Sequence, residues 1–314
     1  MKLDVVVAGE LNPDLILTGL AGLPTLGVEH LASGFTFTMG SSSAIFAVGL
    51  ARLGLSVGFI GRVGEDEFGR YCRDFLAREG IDTSQVRVDP GAATGVTISL
   101  SYPEDRLLVT FQGAMARLRG DDFDWEYLRR ARHFHTSAYY LQDGLRPDLP
   151  GIYRRARDMG LTTSLDTGWD PRDRWGSDLE QVWPWVDVFM PNESEALRLS
   201  GAATVGEALG RLAGPVPLLA VKLGAKGAVA RAGGRVFRHQ GFRIRAVDTT
   251  GAGDSFDAGL IYAFLSGFGV EQALAWGNAC GALAASQPGG TGGFRGLAEV
   301  RTFLETYRGE GDQK

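Results

Sequence analysis

Short apolar runs alternate with longer segments of helical character along most of the chain. The first run, Val5–Ala8, is continuous and ends at Gly9, and uninterrupted runs of this length are typical of strands buried on both faces. Because helix-like segments separate the runs, the pattern predicts a parallel sheet with right-handed crossovers and therefore an α/β fold. Further predicted strands lie at 57–60, 133–137, 162–166, 186–190 and 218–223, and the main predicted helices at 68–79, 254–266, 270–285 and 298–307.

Residues 94–112 follow a different pattern, in which apolar and polar positions alternate. Every second residue from Val96 to Leu100 is apolar, and the residues between them are threonine or serine. With a turn at 103–105 and a second run at 106–112, this pattern predicts a β-hairpin. A hairpin with one apolar face needs a cover, and a second copy of the chain is one way to supply it.

Composition and charge exclude several classes of partner. Of the 314 residues, 44% are hydrophobic, which is ample for a sizeable core. The net charge of −5 argues against nucleic acid or an anionic membrane as the main partner. No apolar run reaches the length of a transmembrane helix. Cys72 and Cys280 have no metal-binding spacing, so a cytoplasmic protein with reduced thiols is the simplest interpretation.

The segment 247–259 carries the main candidate chemistry and reads Val-Asp-Thr-Thr-Gly-Ala-Gly-Asp-Ser-Phe-Asp-Ala-Gly. It predicts the end of a strand at 244–247, a tight turn at Gly251 and Gly253, and a helix that begins at Asp254. Glycines let backbone N–H groups converge, and a helix N-terminus behind them forms an anion site. One carboxylate beside such a site fits phosphoryl transfer to a hydroxyl. The alternative is that Asp254 only caps the helix.

A second polar group follows the first strand, at the end where open α/β sheets bind ligands. Asn12 and Asp14 flank Pro13 there. They either form a turn or bind a polyol, since a carboxylate accepts hydrogen bonds from two vicinal hydroxyls.

The 247–259 segment closely resembles the C-terminal signature of the ribokinase-like (PfkB) carbohydrate kinases, and other motifs of that family follow in the same order from Gly9 to Gly293. The resemblance implies an anion hole formed by the amides of Gly251, Ala252 and Gly253, with Asp254 as the general base. Gly253-Asp254-Ser255 also matches the start of a GDS-type hydrolase motif, but the late Asp-x-x-His of those hydrolases is missing.

The resemblance also implies an acceptor site at Asn12, Asp14, Gly40 and Ser41, with two departures from the family pattern. Ser41 stands where the family has a second glycine, and Ile45 stands where it has an asparagine that contacts the sugar. An apolar residue there suits a base, which keeps a nucleoside kinase of the same family as an alternative.

Two residues of the hairpin region bear on the same site. Arg106 either reaches an acidic group of the substrate or is an ordinary exposed arginine. Met115 departs from the family's Gly-Ala-Asn, with an effect on specificity that the sequence leaves open.

Nucleotide and cation contacts are implied as well. Asn192 and Glu195 would hold the Mg²⁺–phosphate region, usually through water, although they also suit a helix cap. The family's turn near the nucleotide gives the implied contacts Lys222, Gly224 and Gly227, although a simple hairpin would produce the same pattern. An adenine-pocket position of the family gives Asn278. The implied ligands of a monovalent cation are Asp248, Thr250, Ala285, Pro288 and Gly290. The chain has no P-loop motif.

Together these features predict one ribokinase-like kinase domain over 1–314, an α/β protein with three α/β/α layers and a mostly parallel central sheet. A small β-sheet lid would come from segments near 12–38 and 94–113. The resemblance implies a cytoplasmic, ATP-dependent phosphotransferase that uses Mg²⁺, with K⁺ as a further candidate, and dimerises through the lid. Its acceptor would be of the ribose, fructose or 2-keto-3-deoxygluconate type. The alternatives are a nucleoside kinase, a sugar-phosphate kinase and a non-catalytic sugar- or nucleotide-binding regulator on the same fold.

Overall fold

The computed structural model describes residues 2–102, 105–176, 178–212, 214 and 216–311. The strands are β1 Val5–Ala8, β2 Pro13–Thr18, β3 Gly34–Met39, β4 Val57–Gly64, β5 Asp82–Asp89, β6 Val96–Ser101, β7 Arg106–Phe111, β8 His133–Thr136, β9 Thr162–Leu165, β10 Val188–Phe189, β11 Leu218–Lys222, β12 Ala228–Ala232 and β13 Arg235–His239. Within the described residues, nine of them form a large sheet in the order β13-β12-β11-β10-β9-β8-β1-β4-β5, and four form a small sheet in the order β3-β2-β6-β7.

The helices are α1 Ser42–Arg52, α2 Glu67–Arg78, α3 Trp125–Leu128, α4 Leu149–Asp158, α5 Glu193–Ser200, α6 Val205–Leu212, α7 Ala252–Leu265, α8 Val270–Ala285 and α9 Leu297–Gly311. The large sheet is parallel from β5 across to β11, and β12 and β13 extend it as an antiparallel hairpin. The predicted α/β architecture with a mostly parallel sheet is confirmed.

Strand β1 shows how the sheet divides the core. Val5 and Val7 point into a cluster built with residues of α1, α7 and α8. Val6 and Ala8 point into a second cluster, with residues of α4 and α6. Because successive side chains of a strand alternate between its two faces, the continuous apolar run is buried twice, and helices cover the sheet on both sides.

The small sheet is polar on one face and apolar on the other. Opposite Asp14 in β2 lie Thr38 of β3 and Thr97 of β6, and Arg106 of β7 pairs with Ser101 further along. The other face carries a continuous apolar ladder, formed by Leu15, Leu17, Phe35, Phe37, Val96, Ile98, Leu100, Leu107, Val109 and Phe111. The alternation of the predicted hairpin is confirmed, while Pro103 and Glu104 of its predicted turn lie outside the described residues.

Some predicted boundaries are wrong. Residues 244–247 form no strand in the structure, because the amides of Val247 and Asp248 instead donate to the carbonyl of Ala285 at the end of α8. Helix α7 begins at Ala252 rather than Asp254, since Gly251 caps it with a φ of 71°. The run 186–190 yields only the two-residue strand β10. Strand β5 was not predicted, and β2 and β3 were predicted only as part of the lid segment near 12–38.

Within the described residues, no helix is both long and apolar enough to cross a membrane. A location in the cytoplasm stays a prediction.

Candidate active site

The two sheets are joined by the segment that leaves β1 and enters β2. The side-chain amide of Asn12 donates to the Thr97 hydroxyl (3.2 Å) and to the Asp14 carboxylate (3.4 Å). That carboxylate lies directly over Gly40, where an added Cβ would be 2.0 Å from Asp14 Oδ1. The structure therefore brings Asn12, Asp14 and Gly40 together at the junction.

Asp14 is buried, and burial raises its pKa to about 7, an effect that Arg106 opposes and that the charges of Asp254 and Asp248 reinforce. These causes place Asp14 in the same electrostatic neighbourhood as the 247–259 segment. A carboxylate that titrates near neutrality changes its hydrogen-bonding role within the physiological pH range, from acceptor only to donor and acceptor.

Ser41 keeps a glycine-like backbone and adds a helix cap. Its φ is 67°, a region that non-glycine residues rarely occupy. Its hydroxyl donates to the carbonyl of Glu10 (2.5 Å) and accepts from the amide of Ala44 (3.0 Å). Ser41 therefore caps α1 and ties the start of α1 to the end of β1.

Glu10 is a buried acid that the sequence reasoning missed. It accepts from the Ser43 hydroxyl (2.5 Å) and from the Ser43 amide (3.0 Å). Burial raises its pKa to about 7, against the hydrogen bonds from Ser43. The available signal was an acid one residue past the glycine that ends the buried strand, since parallel sheets bind ligands at that end.

The turn at Gly251 opens α7 towards this junction. A Cβ at Gly251 would lie 2.7 Å from Gly290 Cα, so the turn accepts only glycine there. The amide of Ala252 donates to the carbonyl of Thr249 (3.2 Å). Among the described residues the amides of Gly251 and Gly253 have no such acceptor, and they stand at the N-terminus of a 14-residue helix. Two of the three predicted anion-hole amides are therefore available to a ligand.

Asp254 lies in the first turn of α7 and is partly exposed. Its pKa is raised to about 6, first by burial and then by the charge of Asp166, while Lys222, the Ser42 hydroxyl and Arg106 lower it. The ionised form therefore predominates above about pH 6. A carboxylate with a pKa near the working pH suits general base catalysis.

Asp254 belongs to a cluster that the sequence reasoning did not find. One carboxylate oxygen each of Asp166, Asp254 and Asp257 lies within 4.8 Å of the others. The ammonium group of Lys222 bonds Asp257 Oδ2 at 2.9 Å and Asp166 Oδ1 at 3.2 Å. Lys222, predicted as a nucleotide contact, is thus engaged with carboxylates. Two signals were available: Asp166 ends a predicted strand, and Asp257 follows Asp254 at helical i, i+3 spacing.

Arg106 reaches from the small sheet to the 247–259 segment. Its Nη1 donates to the Thr250 hydroxyl at 3.2 Å. Its charge lowers the pKa values of Asp14 and Asp254, which burial raises, and it adds to the lowering of the Asp248 pKa by hydrogen bonds from Thr250 and Gly289. Arg106 is exposed, as one interpretation expected, and its contact with Thr250 leaves the other interpretation, binding of an acidic substrate group, as a prediction.

Asn192 and Glu195 form a reciprocal helix cap. The backbone and side-chain amides of Asn192 donate to Glu195 (2.9 and 2.6 Å), and the Glu195 amide donates to Asn192 Oδ1 (2.9 Å). Glu195 is buried, and its pKa is raised to about 7 by burial and by Asp166, against the charge of Lys222. The cap interpretation therefore holds, and the same carboxylate also faces the cluster. A magnesium role stays a prediction.

The predicted ligands of a monovalent cation lie on two adjoining loops. The Asp248 carboxylate accepts from the amides of Thr250 and Gly289, both at 2.9 Å. The Ala285 carbonyl accepts from the amide of Val247 at 2.8 Å. Two of the predicted ligand groups are thus already hydrogen-bond acceptors, and the cation site stays a prediction for Asp248, Thr250, Ala285, Pro288 and Gly290.

The remaining predicted nucleotide residues surround the end of β13. A Cβ at Gly227 would lie 2.1 Å from the His239 carbonyl, whereas one at Gly224 would meet open space. The side-chain amide of Asn278 donates to the His239 carbonyl at 3.2 Å and lies 2.9 Å from His239 Nδ1. The turn and α8 therefore approach the same segment, and nucleotide binding there stays a prediction.

Ile45 and Met115, the two departures from the family pattern, are both buried. Ile45 packs beneath the glycine-rich loop, since a Cβ at Gly290 would lie 2.5 Å from its Cδ1. Met115 lies in a short 3₁₀ segment at Gly113–Arg117.

Comparison with known proteins places this arrangement in a family. A family model described as pfkB family carbohydrate kinase matches residues 2–294. The 2-dehydro-3-deoxygluconokinase of Bacillus subtilis is 29% identical over 98% of this chain and 97% of its own length. The ATP-dependent ribose-1-phosphate kinase of Halopiger xanaduensis is 33% identical over 91% and 93%. A candidate ribokinase II of E. coli, solved with ATP and Mg²⁺, superposes with a TM-score of 0.83 at 27% identity, covering 97% of this chain and 99% of that one.

Proposed function

The chain belongs to the PfkB family of carbohydrate kinases, and from that premise we propose that it transfers the γ-phosphoryl group of ATP to a hydroxyl of a sugar-like acceptor. One observation carries the proposal: Asp254 stands beside the available amides of Gly251 and Gly253, in the electrostatic neighbourhood of Asp14. An anion-binding turn next to a carboxylate of near-neutral pKa suits phosphoryl transfer to an alcohol, in which positioning and charge stabilisation dominate.

Each group at the site has a separate role in the proposed reaction. Asn12 and Asp14 hold hydroxyls of the acceptor, and Asp254 takes the proton of the hydroxyl that attacks. The new bond joins that oxygen to the γ-phosphorus, the bond from the γ-phosphorus to the bridging oxygen breaks, and ADP leaves. The amides of Gly251 and Gly253 stabilise the charge on the transferring group. The polar face of the small sheet covers the acceptor and excludes water.

The donor set near the cluster fits a divalent cation. Glu195 and Asn192 offer carboxylate and amide oxygens, and hard cations such as Mg²⁺ prefer oxygen ligands and retain several waters. Mg²⁺ bound there would neutralise phosphate charge beside a group of acids. Asp248 and the carbonyls of the adjoining loops give a second oxygen-rich region, which is where K⁺ would bind.

The acceptor that suits this site best carries an acidic group. Arg106 enters from the small sheet and lies close enough to Thr250 to donate a hydrogen bond, so a guanidinium is present where the acceptor would lie. Arginine matches carboxylate and phosphate geometry. The acceptors named for two relatives, 2-dehydro-3-deoxygluconate and ribose 1-phosphate, are both anions. A 2-keto-3-deoxygluconate type is therefore favoured over neutral ribose or fructose.

Two other functions are outcomes of the same assay. A nucleoside kinase was favoured by Ile45, but the structure packs Ile45 beneath the loop at Gly290. A non-catalytic regulator would bind the same ligands without release of ADP, and it would have no use for a base at Asp254.

We also propose that the apolar face of the small sheet binds a second copy of the chain. Val109 and Phe111 are 56% and 55% exposed there, and Phe35 is 64% exposed. Exposed apolar patches of this kind mark interaction sites. Two such faces from identical chains match each other about a two-fold axis.

The test is ADP release from Mg-ATP against 2-keto-3-deoxygluconate, ribose 1-phosphate, ribose, fructose and nucleosides, with and without K⁺. We expect the anionic acceptors to be preferred. Asp254→Asn should fold normally and lower kcat by roughly two to four orders of magnitude. Near-normal turnover of that variant would contradict the assignment of Asp254 as the base. ATP binding without turnover on any acceptor would favour the regulator.

A further inference from the structure

Lys222 occupies an unusual position at the end of β11. It is largely buried, and its ammonium group bonds Asp257 Oδ2 at 2.9 Å and Asp166 Oδ1 at 3.2 Å. The two carboxylates come from different elements, since Asp166 follows β9 and Asp257 belongs to α7. Lys222 therefore links the carboxyl edge of the large sheet to the first turns of the helix that carries Asp254.

The same ammonium group lies next to the glycine turn. A Cβ on Gly253 would be 3.6 Å from Lys222 Nζ. Because Gly253 has no side chain, the Lys222 ammonium group lies close to the backbone amide of Gly253. Asp254 and Asp257 share one face of α7, because they are three residues apart. A shift of the Lys222–Asp257 contact would therefore move the segment that bears both the amide and the base.

The Lys222 contact provides the hydrogen bond that holds the buried carboxylate of Asp257. Asp257 is fully buried, and its Oδ1 has no hydrogen-bond partner among the described residues. Its Oδ2 is held by Lys222. A buried ion pair is a weak source of stability compared with apolar packing, although the loss of one partner leaves a costly unpaired charge. A purely structural role would thus not explain why the pair stands beside the glycine turn.

We propose that Lys222 is a positioning residue for phosphoryl transfer and not a ligand of the nucleotide. Its ammonium group fixes Asp166 and Asp257, and through Asp257 it holds Gly253 and Asp254 in place. It also supplies the positive charge that faces the base from the side of the sheet. This inference rests on the proposed function, because it assigns Lys222 a part in that reaction.

Several charged groups face Asp254 besides Lys222. Burial is the largest cause that raises the pKa of Asp254, the charge of Asp166 also raises it, and Lys222 and Arg106 lower it. The charges of Asp254 and Asp257 also oppose each other. Removal of Lys222 and removal of Asp257 should therefore move the titration of Asp254 in opposite directions. The titratable and charged groups whose charges interact with Asp254 are Glu10, Asp14, Arg106, Asp166, Glu195, Lys222 and Asp257.

The experiment compares Lys222→Met, Asp257→Asn and the double variant by kcat, by KM for ATP and acceptor, and by the pH dependence of kcat/KM. Each single variant should lose about 100-fold in kcat, the cost of a small misplacement of reacting groups, with KM for ATP nearly unchanged. The acid limb should move to higher pH in Lys222→Met and to lower pH in Asp257→Asn. In the double variant the acid limb should return towards its position in the unmodified protein. The loss in kcat of this variant should be smaller than the product of the two single losses.

The matched control is the exposed ion pair of Arg70 and Glu67 on α2. Arg70→Met and Glu67→Gln should leave every kinetic parameter unchanged. If Lys222→Met does not fold, Asp257→Asn and the charge-neutral double variant still give the kinetic comparison. The inference is overturned if KM for ATP rises while kcat holds, or if the acid limbs do not move in opposite directions. Absence of turnover in the unmodified protein would instead count against the proposed function.

Discussion

Arg106 of the small sheet donates a hydrogen bond to Thr250 of the glycine turn, across the cleft between the two sheets (3.2 Å). The two residues are 144 positions apart in the chain. Thr250 precedes Gly251, whose amide has no acceptor within the described residues, so the contact connects the small sheet to the turn that we propose binds phosphate. An acceptor with an acidic group would compete for the same guanidinium.

Removal of this guanidinium should weaken acceptor binding. A hydrogen bond to a charged group contributes about 1.5–3 kcal/mol, so Arg106→Met should raise KM for the preferred anionic acceptor by roughly 10- to 100-fold. KM for ATP should change little. Steady-state kinetics with one anionic and one neutral acceptor is the measurement, and an equal loss on both would contradict the role in charge recognition.

Thr250→Val is the companion variant, because it removes the partner hydroxyl and keeps the arginine. We expect it to leave the preference for the anionic acceptor in place. Arg235→Met, on an exposed position of β13, is the control for the loss of a surface charge.

Gly40 should not tolerate a side chain. A Cβ there would lie 2.0 Å from Asp14 Oδ1, so Gly40→Ala must displace the carboxylate that we propose holds the acceptor. We expect kcat/KM for the acceptor to fall by about 100-fold, the effect of a displacement near 1 Å. Gly151→Ala is the control, since its Cβ would meet open space on α4. Normal kinetics for Gly40→Ala would contradict a role of Asp14 in acceptor binding.

Activity should fall as the pH is lowered through the range of 7 to 6. Burial is the main cause that raises the pKa of Asp14 to about 7 and that of Asp254 to about 6. Both groups are ionised above these values, where Asp254 can accept a proton and Asp14 presents only hydrogen-bond acceptors to the hydroxyls of the acceptor. The slope of log kcat/KM against pH should therefore approach about two on the acid side. Asp254→Asn should reduce that slope by about one, and an unchanged slope would contradict the assignment.

A charge placed in the apolar face of the small sheet should prevent the dimer from forming. Val109→Glu places a carboxylate opposite Ile98 and between Leu107 and Phe111 on the apolar face, where burial of an unpaired charge is costly. We expect a dimer for the unmodified protein and a monomer for the variant, measured by light scattering after gel filtration. Val236→Glu, an exposed site on β13, should remain dimeric. An unmodified protein that is monomeric at micromolar concentration would contradict this proposal.

The local patterns of the chain predicted much of the fold. The run Val5–Ala8 indicated a strand covered on both faces, and β1 does divide the core into two clusters. The alternation near Val96 indicated a two-faced hairpin, and the register of β6 and β7 confirms it. These predictions succeed because strand periodicity depends on which side of a single element is buried.

The same patterns missed β5 and wrongly predicted a strand end at 244–247, and β2 and β3 were expected only as part of the lid segment near 12–38. The hydrogen-bond partners of Val247 and Asp248 lie at Ala285, so no local signal distinguished this segment from a strand. The sequence also showed the glycine turn and Asp254, because the spacing of glycine and acid is written in consecutive residues.

What the sequence determined by itself is therefore the α/β architecture, the glycine turn at 251–253 and the group of candidate residues near it. The tertiary structure alone decided which side chains share one electrostatic neighbourhood. It brought Lys222, Asp166 and Asp257 together from separate elements, placed Glu10 under Ser43 and directed Arg106 to Thr250. Charges interact through space and desolvation depends on packing from all sides, and neither is a property of residues that are neighbours in the chain.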